Sequence, residues 1–182
     1  MIITRSCPNR KSIALICVLL FLAYARPAHA QLSLASSDIT PGAAIGNDYA
    51  CTGADHSPAL AWSGAPQSTK SFALIVDDTD APGGTFIHWI AFNIPAGVNS
   101  LPAGVPQTAE IPGGGSNGIN SFGHYGYNGP CPPPGKTHHY HFHIYALDSA
   151  LPAVDNAHAD AIQSAMQGHV LATAEFTGTF ER

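Results

Sequence analysis

The sequence predicts a mainly β fold, with strands of an antiparallel or mixed sheet at its core and few helices. Three observations carry that expectation. Four segments, SFALIVDD (71–78), FIHWIAFNI (86–94), HHYHFHIYALD (138–148) and AEFTGTFER (174–182), are rich in aromatic and β-branched residues and bounded by Gly, Pro, Asp or Asn. The chain carries 18 Gly and 15 Pro, crowded between those segments, where they would serve turns and irregular connections. Only one stretch has a helical repeat.

Taken in order, residues 1–30 read as an export signal. Arg5, Arg10 and Lys11 give a positive start, SIALICVLLFLAYA is an apolar run, and Ala28-His29-Ala30 places small residues at a cleavage site. The run is shorter than the roughly twenty residues of a membrane span, so cleavage before Gln31 is expected rather than a retained anchor. Neither Cys7 nor Cys17 follows a run of small residues as a lipid-anchored form would require. Residues 31–182 are then one domain, periplasmic or secreted, long enough for a real core.

Without the signal, Lys70, Lys136 and Arg182 face twelve carboxylates, a net charge of −9. A domain so acidic and without a basic patch is no candidate for nucleic acid or for anionic lipid, and no stable membrane insertion is expected. Cys51 and Cys131 remain, an even pair in an oxidising compartment. A disulfide is expected, with two buried thiols as the alternative; closing a loop of about eighty residues would contribute about 4 kcal/mol in the chain-entropy picture.

LSLAS (32–36) is a weaker strand candidate. Between 95 and 137 lies a Gly- and Pro-dense stretch too long for an idle loop, with Ile111, Ile119, Phe122, Tyr125 and Tyr127 as apolar groups to bury. Over 155–168, Ala157, Ala161, Ile162, Ala165 and Met166 recur at helical spacing; Asp155 or Asn156 would cap the start and Gly168 the end, giving a helix near 156–167.

The candidate chemistry gathers at strand ends. In GPCPPPGKTHHYHFH (129–143), period-2 geometry puts His138, Tyr140, Phe142 and Ile144 on one face and His139, His141, His143 and Tyr145 on the other. The first face is polar at the loop end and apolar beyond, as when a strand's mouth lines a pocket; a satisfied His and Tyr at a core rim fits the pattern equally. Three imidazoles at i, i+2 and i+4 stand about 7 Å apart, too far for one ion on a regular strand, and no metal motif or cofactor motif is present. VDDTDAP (76–82) ends an apolar strand in three carboxylates that need donors nearby, and His88 sits amid apolar residues in the next strand.

Four ordered blocks resemble the phosphatidylethanolamine-binding proteins, and within them the bacterial YbhB/YbcL-type, Raf kinase inhibitor-like branch. CTGADHSPALAW, DDTDAP with IHWIAFNIP, GINSFGHYGYNGPCPPPGKTHHYHFHIYALD, and GHVLATAEFTGTFER match the branch through nearly the whole of 31–182. The resemblance implies a β-sandwich with few short helices and a small anion pocket at one end. Its pocket residues correspond to Asp78, His88, Gly129, Pro130, His138 and Tyr140, with Asp80 as a supporting carboxylate. Thr79 stands where the family commonly has proline.

Such a site, lacking Lys and Arg, would bind a small anionic or phosphoryl-containing ligand through switchable imidazoles, a phenol and loop amides near Gly129. Three functions stay open. The leading one is an exported ligand-binding protein. Another is an interaction or inhibitor protein acting on an extracytoplasmic target. The third is an acid–base enzyme using the same residues, weakened by the lack of a Ser or Cys nucleophile elbow or a metal motif. Exposed sheet edges make a homodimer plausible.

Overall fold

The computed structural model describes residues 31–154 and 157–182, so the expected export signal and the expected Asp155 or Asn156 cap lie outside the described residues. Two antiparallel sheets form the fold. The smaller has the order β1 (Ser33–Ser36), β2 (Leu60–Ser63), β5 (Ser100–Leu101). The larger has the order β6 (Ser116–Asn117), β4 (Phe86–Pro95), β3 (Ser71–Asp78), β7 (His138–Leu147), β8 (Val170–Phe180).

β3 is central and buried along its whole length, as its unbroken apolar run FALIV requires. Its two faces feed separate clusters. Phe72, Leu74 and Val76 meet Leu34, Leu60 and Trp62 of the small sheet between the layers. Ala73 meets Ile90, Phe92, Ile162 and Met166 under the helix α1 (Ala159–Met166) on the outer face. The fold is thus a β-sandwich with one short helix over part of one sheet.

The four main strands form where the composition places them, and LSLAS supplies β1. Three differences have local causes. β8 starts at Val170 rather than Ala174, because its full length pairs with β7 from Leu147 to His138. α1 starts at Ala159, after an extended His158 that makes no side-chain cap bond; Gly168, at φ +81°, takes the left-handed conformation expected beyond the end. β2, β5 and β6 are two to four residues long and carry no strand signature, since each exists through its partner.

The long stretch keeps its course through asparagine side chains that replace missing ladder bonds. Asn117 donates to the carbonyls of Pro106 and Thr108 and accepts from the indole of Trp89 at 2.9 Å. Asn120 donates to Gly126 O and accepts from the amides of Phe122 and His124. Ile111 and Tyr127 are buried, but Phe122 and Tyr125 are 40% and 42% exposed, against the expectation that they enter the core. The turn that Asn120 organises carries both rings out to the surface.

Candidate functional site

Antiparallel pairing makes β3 end where β4 and β7 begin. Asp78 lies opposite Phe86 on one side and Tyr140 on the other, so residues some sixty positions apart reach one end of the sheet. A register shift supplies the next piece. Val76 pairs with Trp89 and Asp77 with Ile87, which leaves His88 as the extra residue of a β-bulge. The bulge lets His88 and Trp89, neighbours in sequence, both serve the inner side: Trp89 enters the inter-sheet core while Ile87 and Ile90 pack outside.

These ends enclose a cavity of about 170 Å³. That is smaller than the roughly 300 Å³ at which drug-sized sites begin, so the space admits only a small group. Asp78, His88, His138 and Tyr140 form its polar wall, Phe86 and Phe122 one apolar wall, and Cys131, Pro132 and Pro133 the rigid side. Phe122 packs edge-on to Phe86 at 4.9 Å and to His88 at 5.5 Å, which explains its partial exposure at the mouth.

Asp78 and His138 are buried and joined at 2.7 Å between Oδ2 and Nδ1. The second Asp78 oxygen accepts the Asp80 amide at 2.8 Å. His88 Nδ1 lies 2.7 Å from the carbonyl of Asn128. A carbonyl only accepts, so Nδ1 carries the proton and Nε2 of the neutral ring keeps its lone pair. Burial lowers the pKa of His88, opposed by the Asn128 contact and the Asp78 charge. Tyr140 stands edge-on to His88 at 5.1 Å; its hydroxyl is buried near the Asp78 carboxylate but makes no hydrogen bond of normal length among the described residues. Burial first, then Asp78, raise its pKa, so the phenol is a proton-bearing donor at physiological pH.

The structure brings together Asp78, His88, His138 and Tyr140, and separates the other three candidates from them. Asp80 turns away: its carboxylate accepts from the amide and Nδ1 of His139, at 2.9 and 2.7 Å, which lowers its pKa. It supports Asp78 through its backbone amide, not as a second carboxylate in the wall. Gly129 and Pro130 do not line the cavity. The Gly129 amide donates to Asp55 Oδ1 at 2.6 Å and is not free for an anion nest, and Pro130 has no N–H to offer one; its carbonyl accepts from the Cys51 amide.

Glycine at 129 is needed for packing. A Cβ there would strike the carbonyl oxygen of Tyr49, so Gly129→Ala is expected to destabilise the protein by about 1–3 kcal/mol. Thermal unfolding with and without the substitution checks this.

The other face of β7 is apart from the cavity. His143 Nδ1 lies 3.0 Å from Glu175 and its Nε2 lies 3.5 Å from Asp77, so the trio of carboxylates in VDDTDAP splits three ways rather than crowding. Among the described residues, no group of three or more His, Cys, Asp or Glu is arranged to hold a metal ion, and no helix is long and apolar enough to cross a membrane. The sulfur atoms of Cys51 and Cys131 lie 2.02 Å apart, with Cα atoms 5.4 Å apart. Sequence reasoning passed over Phe86 and assigned Phe122 to the core; this apolar wall had no polar signature to mark it, whereas the stiff proline run GPCPPPG was read as a pocket wall and does line the cavity through Pro132 and Pro133.

Comparison with known proteins gives consistent matches. The family model described as Phosphatidylethanolamine-binding protein matches residues 35–181. A UPF0098 protein of Pyrococcus horikoshii is 47% identical over 137 residues, covering 74% of this chain and 69% of that one. The UPF0098 protein YbcL of Escherichia coli is 38% identical over 181 residues, covering 94% and 98% of the two chains. The crystal structure of E. coli YbcL, described as a member of the mammalian PEBP family, superposes with a TM-score of 0.78 over 84% of this chain and 99% of that one. That of the Chlamydia trachomatis homologue CT736 gives 0.76 at 37% identity, with the same coverage.

Proposed function

The chain belongs to the phosphatidylethanolamine-binding protein family, and from that premise we propose that it is an exported ligand-binding protein whose cavity takes a small anionic or phosphoryl group between His88, His138 and Tyr140. The observation that carries this reading is the buried Tyr140 hydroxyl, which makes no hydrogen bond of normal length among the described residues, its nearby carboxylate Asp78 being engaged by His138 and the Asp80 amide. A buried donor left unpaired costs about 1–3 kcal/mol, which an acceptor oxygen in the cavity would recover. His88 and His138, each with Nδ1 committed behind it, keep Nε2 for the same oxygen group. Export rests on residues 1–30, and a Cys51–Cys131 disulfide on the paired cysteines and their proximity.

The site has no fixed cation, so its charge complement comes from proton uptake. In the empty cavity burial disfavours the charged form of His88; a bound anion reverses that preference. Affinity therefore rises as pH falls and levels off once the imidazole is protonated in the free protein too. Sulfate, whose own charge is constant in this range, is expected to bind more tightly at pH 6 than at pH 8 in a calorimetric titration, with proton uptake visible as a buffer-dependent heat. Phosphate and phosphoethanolamine extend the series. No binding of any of the three at either pH would overturn the proposal.

Tyr140→Phe removes that hydroxyl while keeping the ring. It is expected to weaken sulfate binding about tenfold, the worth of one hydrogen bond to a charged group, without lowering the unfolding temperature.

A further inference from the structure

The peptide unit between Asn128 and Gly129 has a different partner at each end. Its carbonyl accepts from His88 Nδ1 at 2.7 Å, and its N–H donates to Asp55 Oδ1 at 2.6 Å. One amide thus joins a carboxylate to an imidazole: as Asp55 draws on the N–H, the amide polarises and its oxygen becomes the stronger acceptor for His88. The two histidines of the cavity are then backed alike, His138 by Asp78 directly and His88 by Asp55 across one peptide unit. We infer that Asp55 is a positioning residue for the cavity, setting the tautomer of His88 and raising that ring's affinity for a proton through the Asn128–Gly129 peptide.

Three observations hold Asp55 to this task. Its second oxygen accepts from Asn128 Nδ2 at 3.1 Å, so both oxygens grip the same dipeptide. Asn128 is further clamped by Asn120 Nδ2 at 2.9 Å and returns its own amide to the carbonyl of His88 at 2.9 Å, closing the unit on the bulge. Asp55 itself has φ +52°, a left-handed conformation that is uncommon outside glycine. The other titratable groups around His88, namely Asp78 from β3 and His138 and Tyr140 from β7, line the cavity and would meet a ligand directly. Asp55 lies outside that wall. The direction of the Asp55 charge effect on His88, upward, agrees with this assignment.

The inference rests on the anion-binding reading for its use, but its test does not. Long-range ¹H–¹⁵N spectra of the purified protein report tautomer and titration midpoint for each histidine. His88 is expected to carry its proton on Nδ1 at pH 8. Asp55→Asn is expected to lower its midpoint by about one to two units, the size of a charge interaction over roughly 7 Å at an effective dielectric near 20. Asp55→Gly, which suits φ +52° and so folds without strain, is expected to do the same. Asn128→Ala keeps the peptide relay but loses the side-chain grip on Asp55, and is expected to lower the midpoint by less than either Asp55 variant. An Nε2-protonated His88 in the wild type overturns the inference, as does an unmoved midpoint in an Asp55 variant whose His138 signals are native. If the midpoint moves while neither wild type nor variants bind sulfate, the anion reading fails and the role of Asp55 stands. If sulfate binds and the midpoint does not move, the reverse holds.

Discussion

Replacing His138 with alanine is expected to abolish measurable sulfate and phosphate binding and to lower stability by about 3–5 kcal/mol at neutral pH. The size follows from burial. Asp78 and its partner are almost fully shielded from water, and the 2.7 Å contact with His138 engages one carboxylate oxygen while the Asp80 amide engages the other at 2.8 Å. Without the imidazole the carboxylate stays buried with one oxygen unpaired, and the wall left for an anion is negative. Adding Asp78→Asn separates the two effects. The neutral amide removes the buried charge, so the double variant is expected to regain a good part of the lost stability and none of the binding. Urea unfolding and calorimetry on the two variants read both quantities. A single variant as stable as wild type would show that the pair is not buried in solution, and a double variant that binds sulfate normally would place the anion elsewhere.

The second large effect is expected at the cysteines. Cys51 and Cys131 are separated by 80 positions, and holding them together removes loop freedom from the unfolded chain worth about 4 kcal/mol. The contact also matters locally. Cys131 belongs to the cavity wall beside Pro132 and Pro133, and the Cys51 amide donates to the Pro130 carbonyl, so the bond would pin the wall from behind. Cys51→Ser with Cys131→Ser is expected to lower the urea midpoint accordingly and to weaken sulfate binding by a smaller factor, since prolines keep most of the wall in place. Intact mass under denaturing conditions gives the direct check: reductant should add two hydrogens to the wild type and none to the variant. A wild type whose mass reductant leaves unchanged would remove the disulfide and its share of stability together.

Stability should also respond to acid through His88. Its pKa is lower in the folded protein than in the unfolded chain, so the unfolded state binds more protons as pH falls toward and below about 6.5 and stability declines there. Saturating sulfate, by favouring the charged imidazole in the folded state, is expected to flatten that decline; urea midpoints at pH 5 to 8 with and without sulfate measure it.

Much of the layout was legible in the residues. The alternation of HHYHFHIYAL sorts His138 and Tyr140 from His139, His141 and His143, and the burial of β7 follows that division, because side-chain direction in a strand depends only on its own backbone. The apolar run in SFALIVDD likewise marks the central strand. Asp78, His88, His138 and Tyr140 could be named because polar residues at or near strand mouths coincide there with the pocket positions that the family resemblance implies. Gly129 could not be read in the same way. Its place in a Gly-Pro loop suggested an amide open to a ligand, whereas that amide is taken by a carboxylate 74 positions earlier. Nothing local to either residue states the pairing. Asp80 misled for a related reason: two residues from Asp78, it lies past the strand end, where the turn sends it to His139.

By itself the sequence determined where the four main strands lie, which residues of β7 share a face, and which polar side chains stand at or near strand mouths. Those properties are local, set by a two-residue period and by the chemistry of single side chains. The tertiary structure alone decided that His88 is a bulge residue turned inward beside Trp89, that the Tyr140 hydroxyl is buried without a hydrogen bond of normal length, and that Asp55 reaches His88 through a peptide. These depend on register and on the partners of backbone amides, which are fixed only when strands far apart in the chain are laid side by side.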